Sequence, residues 1–333
     1  MWLVNYVCKC VHLRNKAVSS MVKKENVIYT GIDIAKLIFS ILIVCLHLNL
    51  GNIYFLQGLY RIATPMFFCI SGFFSASKVL SNNYSIVHTV LRLMKSYLFY
   101  SILYIPISLK FGWYSLDIVS IVKAILYRGT FIQLWFYPAL IESIILLYLI
   151  GRKIKSIWIA GIAPIVCYVY GILSIEYHLL PNITSDINNV IFHGLMYFWL
   201  GIAVYKMLTW SIQMRTIVVG LIISIAVFFL EITYLLSFND RMTLCFSLVP
   251  LCTFLMLILL KIPVFMEPRY SLFMRNTSTV IFGIHYIIYF MLEWNGFLVS
   301  DLFVKLMIII ISVVIAALIV ICSKQVKIMK LFY

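Results

Sequence analysis

The chain reads as an all-α, polytopic integral membrane bundle of about ten transmembrane helices with both termini cytoplasmic. Three observations predict it. Hydrophobic residues make up 64% of the 333 and charged residues only 11%, far from the balance of a water-soluble domain. The apolar residues gather into ten runs, near 30–50, 60–77, 97–109, 134–150, 157–173, 190–205, 217–236, 243–260, 278–292 and 302–322, the third of them short. Lysine and arginine then concentrate in alternate loops. Lys78, Arg92, Lys95, Arg152, Lys153, Lys206, Arg215, Lys261, Arg269, Arg275 and Lys324 fall on the side that holds the N-terminus, against Arg61, Lys110, Lys123, Arg128, Arg241 and Lys305 on the other. Basic loops stay in the cytoplasm, so the net charge of +15 is a topological bias, and nothing patterned in it points to nucleic acid.

The expected organisation is a basic cytoplasmic tail over 1–29, one bundle over 30–323 and a short basic cytoplasmic tail over 324–333. The opening stretch MWLVNYVCKCVHLRNKAVSS lacks the apolar core and cleavage site of a signal peptide, and Met21 makes a more ordinary start. Cys45, Cys69, Cys167, Cys245, Cys252 and Cys322 lie in or beside apolar runs at no ligand-like spacing and read as small hydrophobes. The histidines make no metal cluster, so no metal is expected.

The first run, GIDIAKLIFSILIVCLHLNLG, carries Asp33, Lys36 and His47 through hydrocarbon. Lys36 and His47 are eleven residues apart, which returns to within about 20° of one helix face, about 16 Å further along the axis. Asp33 and Ser40 lie close to that stripe. Ionisable groups inside a membrane cost several kcal/mol, so the stripe must face the bundle interior or a wet cavity. A purely structural account remains open, with Asp33 paired to Lys36 at the inner surface and His47 a satisfied polar residue near the outer end. The second run, GLYRIATPMFFCISGFFSASK, enters at Arg61 and leaves at Lys78. Its Pro65 interrupts the helix, and Ser71-Gly72 is a pair that lets a neighbouring helix or ligand approach closely.

A basic residue, ten residues and a histidine in the first span, followed by an Arg-initiated PMFFCISGFF, resembles the membrane-bound acyltransferase family 3, which includes bacterial O-acetylases of surface polysaccharides and lipid-linked sugars. LWFYPALIESIILLYLIGRK at 134–153, LRLMKSYL at 91–98 and, more loosely, VIFGIHYIIYF at 280–290 extend the likeness. The resemblance implies transfer of an acyl group from cytoplasmic acetyl-CoA, or another short acyl-CoA, to a hydroxyl of a glycan or lipid-linked sugar at the bacterial cytoplasmic membrane. It implies that His47 is catalytic and that Lys36 is essential. A neutral imidazole suits the general base of such a reaction, and Lys36, nearer the cytoplasm, is placed to meet the acyl-CoA. From spacing alone, Asp33 is expected to orient Lys36 and keep it charged.

Arg61 should lie at the depth of His47, to bind acceptor or stabilise an oxyanion, or else to snorkel for structural reasons. Ser71 lies at the depth of Lys36, and Arg92 and Lys95 correspond to the family's cytoplasmic basic pair. These three are the further acyl-CoA-binding candidates. Trp135 and Tyr137 are candidates for stacking on a sugar, against the alternative of interfacial anchoring. Glu142 and Glu231 are intramembrane acids with no partner evident from sequence, and Glu142 is the better placed for the site. His285 is a supporting candidate in mid-span. Two other classes compete. A transporter or flippase uses the same polar stripes and broken spans. The second span also reads much like the membrane half of a vancomycin-resistance serine racemase, a module linked to amino-acid uptake.

Overall fold

The structure is a computed structural model that describes residues 29–50, 54–81, 85–112, 117–154, 156–181, 190–239 and 243–333. The expected N-terminal tail lies outside them, apart from Tyr29. All regular structure among the described residues is helical, with no strand. A backbone in hydrocarbon must satisfy its own N–H and C=O groups, and a helix does so within one segment. Six segments are long and apolar enough to cross a membrane: Thr30–His47, Leu56–Leu80, Ile86–Lys110, Ile157–Glu176, Met214–Leu235 and Leu302–Cys322. Ile191–Met207 and Leu248–Lys261 are shorter apolar helices.

In chain order the helices are α1 (Thr30–His47), α2 (Tyr54–Arg61), α3 (Ala63–Leu80), α4 (Ser85–Lys110), α5 (Ile118–Lys123), α6 (Phe136–Lys153), α7 (Ile157–Ala160), α8 (Ile162–Gly171), α9 (Leu195–Met207), α10 (Met214–Leu235), α11 (Leu248–Lys261), α12 (Pro268–Trp294) and α13 (Leu302–Cys322). The short third run is a segment of α4, whose Pro106 sits inside the helix. Pro65 acts as expected. The helix breaks at Ile62, and Pro65 takes a place in the first turn of α3, where its missing N–H would have had no intrahelical partner.

Helix α3 lies directly against α9. A Cβ on Gly72 would collide with the backbone carbonyl of Phe198, and one on Gly201 with that of Cys69. Two glycines facing each other's helix let the backbones touch, which is how helices associate when lipid removes the hydrophobic drive. The neighbour that Ser71-Gly72 admits is therefore α9. Two cores pack the bundle, and this contact lies within the first. One gathers Phe68, Tyr168, Tyr197 and Phe198, and the other Tyr100, Tyr104, Phe131 and Tyr137. The buried phenols of the second core find backbone acceptors: Tyr104 donates to the Gly283 carbonyl at 2.8 Å and Tyr100 to that of Phe332 at 2.7 Å. Phe332 belongs to a 3₁₀ turn, Lys327–Phe332, that folds the C-terminus back so that its ring meets Phe99 at 4.7 Å.

Half-buried Glu231 and buried Glu176 are structural anchors. Glu231 accepts from the Phe246 and Ser247 amides at 2.8 Å each, from the Ser247 hydroxyl and from Tyr177. Glu176 accepts from the Thr243 and Leu244 amides at 2.7 and 2.8 Å. Together the two carboxylates hold the segment that leads into α11, where a helix N-terminus presents N–H groups that need acceptors.

Candidate functional site

Helices α1 and α12 run parallel, since Asp33 meets Ser271 and Arg275 while His47 meets Tyr286. Asp33 and His47, about 20 Å apart at 1.5 Å per residue, are thereby both met by α12. At the first-turn end the Asp33 carboxylate is fully buried. Arg275 approaches it in a fork, Nε to Oδ1 at 2.8 Å and Nη2 to Oδ2 at 2.9 Å, and the Ser271 hydroxyl donates to Oδ2 at 2.5 Å. This corrects the expected Asp33–Lys36 pair. A planar guanidinium from the neighbouring helix satisfies both carboxylate oxygens, which an ammonium one turn along the same helix cannot do. Lys36 is half-buried beside this pair, within electrostatic reach of Arg275, Asp33 and Arg92. Of the three cationic side chains, Arg275 alone contacts the carboxylate, and Arg92 reaches Lys36 electrostatically. Arg92 and Lys95 are both exposed on α4, and Ser71 donates to the Phe67 carbonyl of its own helix at 2.8 Å.

At the other end of the seam His47 closes the last turn of α1. Its ring stacks on that of His285 at 5.3 Å between centroids and 19° between planes, and its Nδ1 lies 3.1 Å from the Tyr286 hydroxyl. His285 is buried, with Nδ1 placed to donate to the Phe282 carbonyl at 2.9 Å. That assigns the proton to Nδ1 and leaves Nε2, which has no hydrogen-bond partner, as a lone-pair acceptor. The two imidazoles form a stacked pair, and the Tyr286 ring lies against both, at 5.1 Å from His47 and 4.8 Å from His285.

His47 opens onto a cavity of about 90 Å³, lined also by Arg61, Gln133, Trp135, His193 and Thr243. Arg61, at the end of α2, donates to the Thr243 hydroxyl at 3.4 Å and lies within electrostatic reach of Glu176 and His193. Of the two aromatic candidates, Trp135 lines the cavity. Tyr137 is buried in the second core, stacked on Tyr97 at 5.8 Å and 24°. Glu142 is half-buried on α6 and is not among the lining residues. Lys36, Arg92 and Asp33 therefore gather at one end of the seam, and His47, His285, Arg61 and Trp135 at the other. Among the described residues no group of histidine, cysteine and carboxylate side chains could hold a metal ion.

Ser271, Arg275, Tyr286, Gln133 and His193 complete these two clusters, and the sequence reading had not proposed them. A signal for part of the set exists. Arg275 and Tyr286 are eleven residues apart, the same one-face interval that relates Lys36 to His47. Gln133 and His193 carry no such signal, because tertiary packing alone brings a loop and a helix start to one cavity.

A polar seam runs through the helical bundle, basic at one end and bearing paired imidazoles beside a cavity at the other. A family profile described as an acyltransferase domain matches residues 29–323, and the chain belongs to this family, acyltransferase family 3. An amino-acid racemase of Enterococcus faecalis is 30% identical over 203 residues, covering 54% of this chain and 28% of the racemase. A serine/alanine racemase of Enterococcus gallinarum is 29% identical over 148 residues, 39% of this chain and 21% of that protein. The chain thus spans about a quarter of the length of the curated relatives it matches. No solved structure matches it.

Proposed function

We propose that the chain is an O-acyltransferase of the bacterial cytoplasmic membrane, about ten spans with both termini cytoplasmic. It would move an acyl group from cytoplasmic acetyl-CoA, or another short acyl-CoA, to a hydroxyl of a cell-surface polysaccharide or lipid-linked sugar. The observation that carries this reading is the seam itself. A cationic cluster suited to an anionic donor and an imidazole suited to proton transfer stand at opposite ends of one pair of parallel helices.

In the tautomer that serves as base, His47 donates its Nδ1 proton to the Tyr286 oxygen and presents the Nε2 lone pair. The acceptor hydroxyl gives its proton to Nε2 as its oxygen bonds to the thioester carbonyl carbon. The C–S bond then breaks, and the imidazolium returns the proton to the leaving thiolate, giving an ester and free CoA thiol. Arg61 is the cation on the cavity wall suited to the negative charge that develops on the carbonyl oxygen. Lys36 and Arg92 bind the anionic part of the donor, with Asp33 and Arg275 fixing the wall they stand on. The test is acetyl transfer from labelled acetyl-CoA to membranes holding the full chain. Label that enters a glycan or lipid-linked sugar and is released by mild alkali supports an ester product.

A second reading, an amino-acid uptake module, rests on the likeness of the second span to the membrane half of a serine racemase, and the relatives that share part of the chain are amino-acid racemases by name. Saturable uptake of labelled serine into vesicles, undiminished by His47→Ala and without acetyl transfer, would support it.

A further inference from the structure

The geometry points to Gln133 and His193 as the residues that bind the acceptor's hydroxyl groups, with Trp135 as the apolar face against which the acceptor's sugar ring lies. This assignment rests on the acyl-transfer reading and specifies its acceptor as a polyhydroxylated ring. His193 is 3% exposed and Gln133 1%. Neither ring nitrogen of His193 has a hydrogen-bond partner within the protein, and the Gln133 amide, with the Tyr104 phenol in reach, makes no well-formed hydrogen bond. Buried polar atoms in proteins are mostly paired, and leaving one unpaired costs about 1–3 kcal/mol; among the other described side chains only Thr277, Ser278 and His285 hold such an atom. The four atoms of His193 and Gln133 belong to two side chains that line one cavity, and together they form a set of donors and acceptors that an occupant of that cavity would satisfy. An aliphatic occupant would leave the whole set unmet, and a purely anionic one would leave its acceptors unmet. Hydroxyl groups donate and accept together, and so fit all four positions.

The local backbone supports a built site. His193 sits in a π-helical turn, Val190–Gly194, that leads into α9, an irregularity that often marks functional positions. Gln133 and Trp135 share the loop before α6, whose first residue, Gly129, has φ +77° and packs against the Trp135 amide, a closure that no side chain would permit. Trp135 meets the His193 ring edge to face at 5.7 Å, so the aromatic face and the polar groups adjoin. His47 lines the same cavity, which sets the hydroxyl to be acylated beside the base and the others beside Gln133 and His193.

The experiment measures acetyl transfer by the full chain in membranes. The probe is the lipid-linked and wall-glycan fraction extracted from the host, titrated at saturating labelled acetyl-CoA. Gln133→Leu and His193→Phe should each raise the KM for this fraction about ten-fold or more, while the KM for acetyl-CoA moves less than about two-fold. His193→Gln, which keeps a donor and an acceptor, should recover most of the loss. An unchanged acceptor KM, or equal increases in both KM values, would overturn the assignment. A second measurement needs neither turnover nor a variant: diethyl pyrocarbonate should modify His193 in the wild-type protein, and the glycan fraction should protect it. Protection in a chain that transfers no label would defeat the acyl-transfer reading and leave glycan binding standing. Absence of protection in an active chain would defeat the assignment alone.

Discussion

Replacing Arg275 by methionine tests the seam at its most buried point. The change removes both guanidinium bonds to Asp33 and leaves a fully buried carboxylate with only the Ser271 hydroxyl. Removing one partner of a buried pair costs about 3–5 kcal/mol, because the remaining charge keeps its desolvation penalty. The Arg275 side chain is 37% exposed, so part of its attraction is screened and the lower end, about 3 kcal/mol, is expected. Asp33→Asn together with Arg275→Met removes the orphaned charge and should recover at least half of that loss. The assay is a double-mutant cycle of unfolding in mixed detergent micelles, with folded fraction followed by tryptophan fluorescence. Strict additivity, or wild-type stability in Arg275→Met, would refute the view that the Asp33–Arg275 contact holds α1 to α12.

Other expectations follow from equally local geometry. Gly72→Val and Gly201→Val should each prevent stable accumulation of the protein, read by immunoblot of membranes, because each side chain would enter a facing backbone that cannot yield. Glu231→Ala should destabilise by about 2–4 kcal/mol in the same unfolding assay, since the Phe246 and Ser247 amides lose their acceptor. Tyr286→Phe should lower kcat for acetyl transfer about ten-fold with little change in KM, because Tyr286 bonds to His47 and does not line the cavity. A rise in KM with kcat intact would place Tyr286 in the binding site instead.

The all-helical fold was legible because hydropathy responds to a bilayer strongly, and the apolar runs carry helices wherever the chain is described. The first-span stripe was legible too, since helical periodicity fixes which face Lys36 and His47 share. Partners were not. Asp33 lies three residues from Lys36, yet Arg275, far along the chain, binds it, because fork geometry outweighs proximity in sequence. Likewise Glu231 looked like a candidate for function and proved to anchor the entry to α11. Tyr137 illustrates a different limit. Two aromatic residues at one helix start point in different directions, Trp135 to the cavity and Tyr137 to the core, and only tertiary packing decides which.

Acetyl transfer by His47→Ala and Lys36→Ala tests the central claim most directly. Membranes with equal amounts of wild-type and variant protein, supplied with labelled acetyl-CoA, should show label entering glycan or lipid-linked sugar in the wild type alone. Losses of about 100-fold or more are expected in His47→Ala, from removal of a general base, and a raised KM for acetyl-CoA in Lys36→Ala if partial activity survives. Undiminished transfer in both variants would contradict the account, because it would separate the chemistry from the seam.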